Sequence, residues 1–238
     1  MSLISLQKVS KYFILNKGIH HLLQEINLEI KQGESVSIIG PSGSGKSSLL
    51  KIIGLLDVPN SGSIFIHGMD CTAISENQQT NLRREYIGFI FQSYNLLHDF
   101  TALENIVLPQ SILGVNHDIA TNNAIRLLKE LKLEKKTNYY PNQLSGGEQQ
   151  RIAIARSLIN KPKIILADEP TGNLDFENTQ NISRILSTLS RKYQVSLIII
   201  THDIDLATKA DKMYSLRNGR LQDITRTLYN KSLIKYTK

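Results

Sequence analysis

Three short stretches of this chain carry residues whose types and spacing could act on a phosphate. The first is GPSGSGKS, Gly40 to Ser47. Gly40, Gly43 and Gly45 allow a loop whose amide hydrogens face inward around phosphate oxygens, and the helix that follows adds the partial positive charge of its N-terminus. Lys46 would bridge the β- and γ-phosphates and Ser47 would offer its hydroxyl to Mg²⁺. Pro41, Ser42, Ser44 and Ser48 complete the candidate phosphate contacts. The second stretch is IILADE, Ile164 to Glu169. Asp168 stands where an apolar strand emerges, placed to hold a water on Mg²⁺. Glu169 could orient the attacking water or take its proton.

The third stretch is LSGGEQQR, Leu144 to Arg151. Ser145, Gly146 and Gly147 bring a hydroxyl and closely approachable amides to the front of a helix, which is an anion clamp. An ordinary N-cap serine has the same local geometry, and the two readings differ only in whether a phosphate arrives. With one phosphate loop, a monomer has no obvious use for a second anion site, so this turn points to a dimer. Two single residues join the set. Gln92 ends the run YIGFIF, where a neutral amide can contact Mg²⁺ or the water. His202 follows SLIIIT and is either a structural turn residue or a hydrogen-bond partner of the γ-phosphate, since strand C-terminal ends gather at the ligand face of such sheets.

The elements that must hold these groups are legible in the apolar pattern. Leu3 to Val9, Ile26 to Ile30 and Ser35 to Ile39 read as strands, the last running into the Gly-rich loop and then the helix SSLLKIIGLL. Ile64 to His67 and Tyr86 to Phe91 read as further strands. Thr101 caps a helix, with Glu104 in the capping-box position. Asp118 to Leu131 reads as an amphipathic helix with Ile119, Ala120, Ile125, Leu128 and Leu131 on its apolar face. The LSGGE turn opens a helix through Leu158. Ile164 to Ala167 and Leu197 to Ile200 are continuous β-branched runs, as in parallel strands buried on both faces, with a helix around Ile182 to Leu189 between them. The expected organisation is a single domain: an α/β core over residues 1–92 and 158–225, a helical insertion at 93–157 and a basic tail at 226–238.

Composition narrows the class. No apolar run in the 238 residues approaches the roughly 18 to 20 needed to span a bilayer, and MSLISLQKVSKYF lacks a signal-peptide pattern. One cysteine, Cys71, excludes an internal disulfide and suits a reducing compartment. The net charge of +7 is dispersed, without an aromatic-interleaved basic stripe, so nucleic acid is not the expected partner.

Taken together, these residues resemble the nucleotide-binding domain of ATP-binding cassette (ABC) transporters over nearly the whole chain. GPSGSGKS looks like the Walker A loop, Gln92 the Q-loop, LSGGE the signature motif, IILADE Walker B, Gly172 to Asp175 the D-loop and His202 the switch histidine. Tyr12 matches the aromatic that stacks on adenine, with Phe13 beside it as the other candidate. The resemblance implies a P-loop NTPase core with an antiparallel β part and a helical subdomain, and an ATPase using ATP and Mg²⁺. It also implies a head-to-tail pair in which Ser145 and Gly147 of one copy complete the Walker A site of the other, with Asp175 at the interface. Glu148 departs from the commonest signature, which has Gln there.

LRREYIGFIFQSYNLL, YYPNQLSGGEQQRIAIARSL and ILADEPTGNLD look like the group of the macrolide exporter ATPase MacB, the lipoprotein-releasing ATPase LolD and the cell-division ATPase FtsE. MacB-like export is the reading expected from this local wording, and lipoprotein release or cell division the alternative. Either implies a separate integral-membrane permease and a place on the cytoplasmic face of the membrane. A DNA-acting ABC ATPase is disfavoured, because the segment between Gln92 and the signature is too short for coiled-coil arms and lacks heptads.

Overall fold

Alternation governs the first thirty residues. Ser2–Leu15 (β1) and Gly18–Lys31 (β2) form a long antiparallel hairpin, and in β2 Ile26, Leu28 and Ile30 are buried while Asn27 and Glu29 are exposed. Both strands extend well past the apolar runs that announce them. The computed structural model describes residues 2–15 and 18–225; the basic tail expected at 226–238 lies outside the described residues. The chain divides into two units, residues 1–79 with 196–238, and residues 80–195.

In the first unit β1 lies between β2 and Ser61–Ile66 (β4), which pairs onward with Met69–Asp70 (β5), so this sheet is antiparallel throughout. A second set of strands surrounds Ser35–Ile39 (β3). It runs parallel to Ser196–Ile200 (β8) on one side and to Lys212–Arg217 (β9) on the other. β9 turns back into Arg220–Asp223 (β10) through Asn218 and Gly219, both at positive φ (49° and 72°), which is the twist a two-residue hairpin needs. Every residue of β8 is buried. The helix Lys46–Ile53 (α1) follows β3, and Ile204–Ala207 (α7) follows β8.

In the second unit Ile87–Ile90 (β6) runs parallel to Ile164–Asp168 (β7), in register from Ile87 opposite Ile164 to Ile90 opposite Ala167. A helix absent from the sequence expectation, Glu76–Tyr86 (α2), leads into β6 and crosses the division between the units. It takes Tyr86, which had been expected to open the strand. Ala102–Ile112 (α3) begins with the capping box of Thr101 and Glu104, as expected. His117–Glu130 (α4), Gly146–Leu158 (α5) and Phe176–Tyr193 (α6) complete the unit.

α4 corrects one expectation. Ile119 and Ile125 are 56% and 43% exposed, and the buried stripe is Ala120, Ala124, Leu127, Leu128 and Leu131. Those five recur at helical spacing, whereas Ile119 and Ile125 lie off that stripe. Lys192 and Tyr193 at the end of α6 both bond Glu130 at the end of α4, at 2.6 and 2.7 Å. Among the described residues no helix is long and apolar enough to cross a membrane.

Candidate functional site

The first unit carries the glycine-rich loop expected from the sequence to hold phosphate. β3 ends at Ile39 and the chain turns through Gly43 (φ 77°) and Gly45 (φ 96°), conformations that side chains rarely adopt. A Cβ on Gly40 would run into the Leu216 carbonyl, so this position also needs glycine. Gly45 is the N-cap of α1 and offers no side-chain cap, so the first amides of α1 meet no capping hydroxyl or carboxylate. Lys46 is 9% exposed, and its Nζ donates to the carbonyls of Gly40 and Pro41, each at 2.9 Å. The Ser44 hydroxyl is buried with no hydrogen-bond partner. A sequestered cation, an uncapped helix start and an orphaned hydroxyl on one eight-residue loop suit a polyphosphate.

His202 emerges on the same side. Ile38 of β3 pairs with Ile200 of β8, so the two parallel strands end together and His202 stands exposed beside the start of the loop. Buried Thr201 and the N-cap Asp203 fix the backbone on either side of it, with Asp203 accepting from Asp205 and Leu206. Tyr12 lies on β1, half-buried, its ring tilted against that of His21 at 5.7 Å between centroids. Phe13 is the more exposed neighbour.

The second unit holds the acidic and signature residues. β7 delivers Asp168 and Glu169, both half-buried, to the end where β6 leads through Phe91 to Gln92. Glu169 takes a left-handed backbone, φ 45°. Gln92 meets the loop after Glu169 directly. Asn173 Nδ2 donates to the Gln92 carbonyl at 3.1 Å, and a Cβ on Gly172 would stand 2.9 Å from Gln92 Nε2. The following residues, Tyr94 and Asn95, are also left-handed, and the Arg156 guanidinium of α5 grips both their carbonyls, at 2.8 and 2.6 Å.

Ser145 is the N-cap of α5. Its Oγ accepts from the Glu148 amide at 3.3 Å, and Glu148 Oε2 accepts from the Ser145 amide at 2.8 Å, a complete capping box. Burial pushes the Glu148 carboxyl up, but the Ser145 amide and the Lys136 ammonium, 3.3 Å away, outweigh it and hold the group below its ordinary range. A Cβ on Gly147 would collide with Asn178 Oδ1, and one on Gly146 would lie 2.8 Å from the Tyr94 hydroxyl. Asn178 in turn donates through backbone and side chain to Asp175, both at 2.8 Å, and the backbone bond chiefly lowers the Asp175 carboxyl. The second unit thus joins the turn at Ser145–Gly147 to Asp175 through Asn178, and Gln92 to Gly172. Asn178, Tyr94 and Arg156 are absent from the candidate site residues of the sequence, and Asn173 enters there only as part of the D-loop stretch Gly172 to Asp175. Only Asn178 left a local sign, standing three residues after an N-cap aspartate.

The family model for ABC transporters matches residues 23–172. The chain belongs to the ABC transporter family. It is 48% identical over 227 residues to the lipoprotein-releasing system ATP-binding protein LolD of Ehrlichia ruminantium (strain Gardel), covering 94% of this chain and 99% of that protein. LolD of Rickettsia felis is 47% identical over 221 residues, 92% of this chain and 97% of that protein. Among solved structures, the ATP-binding cassette MJ0796, a dimer in a post-hydrolysis state bound to ADP and Pi, matches with a TM-score of 0.85 at 39% identity, over 93% of this chain and 98% of that one. This ABC cassette therefore binds and hydrolyses ATP on an α/β fold with an antiparallel β part and helical parts. The relatives shift the emphasis from MacB-like export to the alternative: they are ATP-binding proteins of lipoprotein-releasing systems.

Proposed function

We propose that this chain is the ATPase subunit of a lipoprotein-releasing ABC system, working as a head-to-tail pair on the cytoplasmic face of a separate integral-membrane permease. The observation that carries this reading is the 48% identity to LolD, which runs along 94% of this chain rather than through the motifs alone. In this cycle the loop Gly40 to Ser48 cradles the phosphates of ATP and Tyr12 stacks on the adenine. Lys46 exchanges its loop carbonyls for β- and γ-phosphate oxygens. Ser47, Asp168 and Gln92 would offer the neutral and anionic oxygens that suit Mg²⁺, and an ion held with the nucleotide would offset charge on the phosphates. Glu169 orients the attacking water and accepts its proton, and His202 hydrogen-bonds the γ-phosphate. Ser145, Gly146 and Gly147 of one copy close on the nucleotide of the other, with Asp175 at the interface. The dimeric MJ0796 cassette supports the pairing.

The reading is tested by reconstituting the chain with a lipoprotein-releasing permease of the same cell, in vesicles carrying a lipoprotein and an acceptor outside. ATP should release the lipoprotein, and Glu169→Gln should stop both release and hydrolysis. ATP-driven movement of a macrolide or peptide, without lipoprotein release, would return the assignment to the MacB-like alternative.

A further inference from the structure

The signature helix reaches the catalytic loop at one buried point. Gln150, on the second turn of α5, is wholly buried, and its Nε2 donates to the carbonyl of Pro170 at 2.6 Å. Pro170 directly follows Glu169, whose backbone is left-handed at φ 45°. That conformation is unfavourable for a residue with a side chain, and a following proline restricts it further. The turn is closed on its other side by the Gly172 amide, which donates to the Glu169 carbonyl at 3.0 Å. The proline itself has no N–H to contribute, so the Gln150 bond holds the one polar backbone group that residue 170 offers.

The other half of the same amide adds weight. Gln150 Oε1 is buried and has no hydrogen-bond partner. A methionine or leucine of similar size would fill the space without this orphaned oxygen, but would leave the buried Pro170 carbonyl without its donor. What an amide adds here over an apolar residue is thus its single donor, aimed at Pro170.

We infer that Gln150 is a positioning residue that holds the Glu169 carboxylate in its working orientation through the Pro170 carbonyl. The inference rests on the reading of Glu169 as the group that orients the attacking water. Gln150 does not touch the nucleotide; it fixes the backbone turn from which the carboxylate projects. Because α5 begins with Ser145, the helix that presents the clamp to one nucleotide also sets the carboxylate for another.

The test uses Gln150→Met, which keeps the length and removes the donor, and Gln150→Leu, a second apolar residue of similar volume that removes it without a flexible side chain. Binding of a fluorescent ATP analogue by each variant confirms the fold, and the second variant covers destabilisation by the first. With the donor gone, kcat should fall about 10- to 100-fold, the penalty of a slightly misplaced catalytic group, while KM for ATP stays within about twofold. ATP-bound dimers should then accumulate on size exclusion, as they should for Glu169→Gln. A kcat within twofold of wild type overturns the inference. So does a fall in kcat without dimer accumulation where Glu169→Gln does accumulate, because Gln150 would then merely shape the signature helix. Wild-type turnover by Glu169→Gln itself would instead remove Glu169 from its role, a failure visible without any Gln150 variant.

Discussion

The two glycine-bearing turns of this chain open helices in different ways. At Gly40–Ser47 the helix start has no side-chain cap, the lysine is folded onto carbonyls of its own loop, and Ser44 keeps a buried hydroxyl without a partner. At Ser145–Glu148 the serine and glutamate satisfy each other's amides, and Lys136 pairs with the carboxylate. The first turn leaves a buried hydroxyl and a helix start without protein partners. The second is complete by itself. The proposed cycle asks for this difference: a loop that holds the nucleotide can leave groups for its ligand, whereas a turn that meets it only when two copies close is preorganised beforehand.

The comparison is broken most directly at Lys46. Lys46→Ala removes the one ammonium of the loop, and charge-assisted bonds to phosphate contribute about 1.5–3 kcal/mol each, so ATP affinity should fall about 10- to 100-fold or more. Hydrolysis should become undetectable. A Kd for ATP within threefold of wild type, measured by equilibrium titration, would show that the loop's amides alone carry binding.

Next in size is Ser145→Arg, which should leave ATP binding to the isolated chain within about twofold and abolish hydrolysis, because a bulky cation replaces a clamp that acts only between copies. Unchanged ATPase activity would sink the shared-site reading. Ser145→Ala separates the structural part of the effect: the lost cap should cost about 1 kcal/mol of stability, read as a lower melting temperature.

These turns were legible from sequence because their chemistry is contiguous. Eight residues in a row define the phosphate loop, and a capping box declares itself at a spacing of three. What escaped notice was distributed or lacked an apolar signature. ENQQTNLRREY buries only Leu82, so α2 shows no stripe by which a helix is recognised. The β9–β10 hairpin carried its sign in Asn218–Gly219, which went unread. Ile119 and Ile125 suggested the wrong helical face because hydrophobicity outvoted phase, and the smaller Ala120 and Ala124 took the buried side. Gln150 and Asn173 act through tertiary bonds to residues distant in sequence, which no spacing rule predicts. The motifs do not separate export from lipoprotein release; the identity to LolD along 94% of the chain is what favours the second reading.

The smallest effect is the sharpest test of self-sufficiency. Glu148 stands where the commonest signature has glutamine, and glutamine serves equally at this position of a capping box. Glu148→Gln should keep the acceptor for the Ser145 amide and lose only the pairing with Lys136, a partly exposed ion pair that contributes about 0.5 kcal/mol. ATPase activity at neutral pH should stay within about twofold. The pH dependence should change more clearly. A carboxyl whose folded pKa lies below its unfolded value contributes stability that is fully present above about 4.3, the ordinary glutamate value, and is lost as pH falls through the lower folded value. Glu148 is such a group, so the wild type should lose a small increment of melting temperature across that acid window that Glu148→Gln does not lose. Glu104, lowered by the same kind of capping box on α3, provides the internal control, since its contribution remains in the variant. A tenfold change in hydrolysis in Glu148→Gln would place the carboxylate in the phosphate chemistry itself and end the view of this turn as a finished cap.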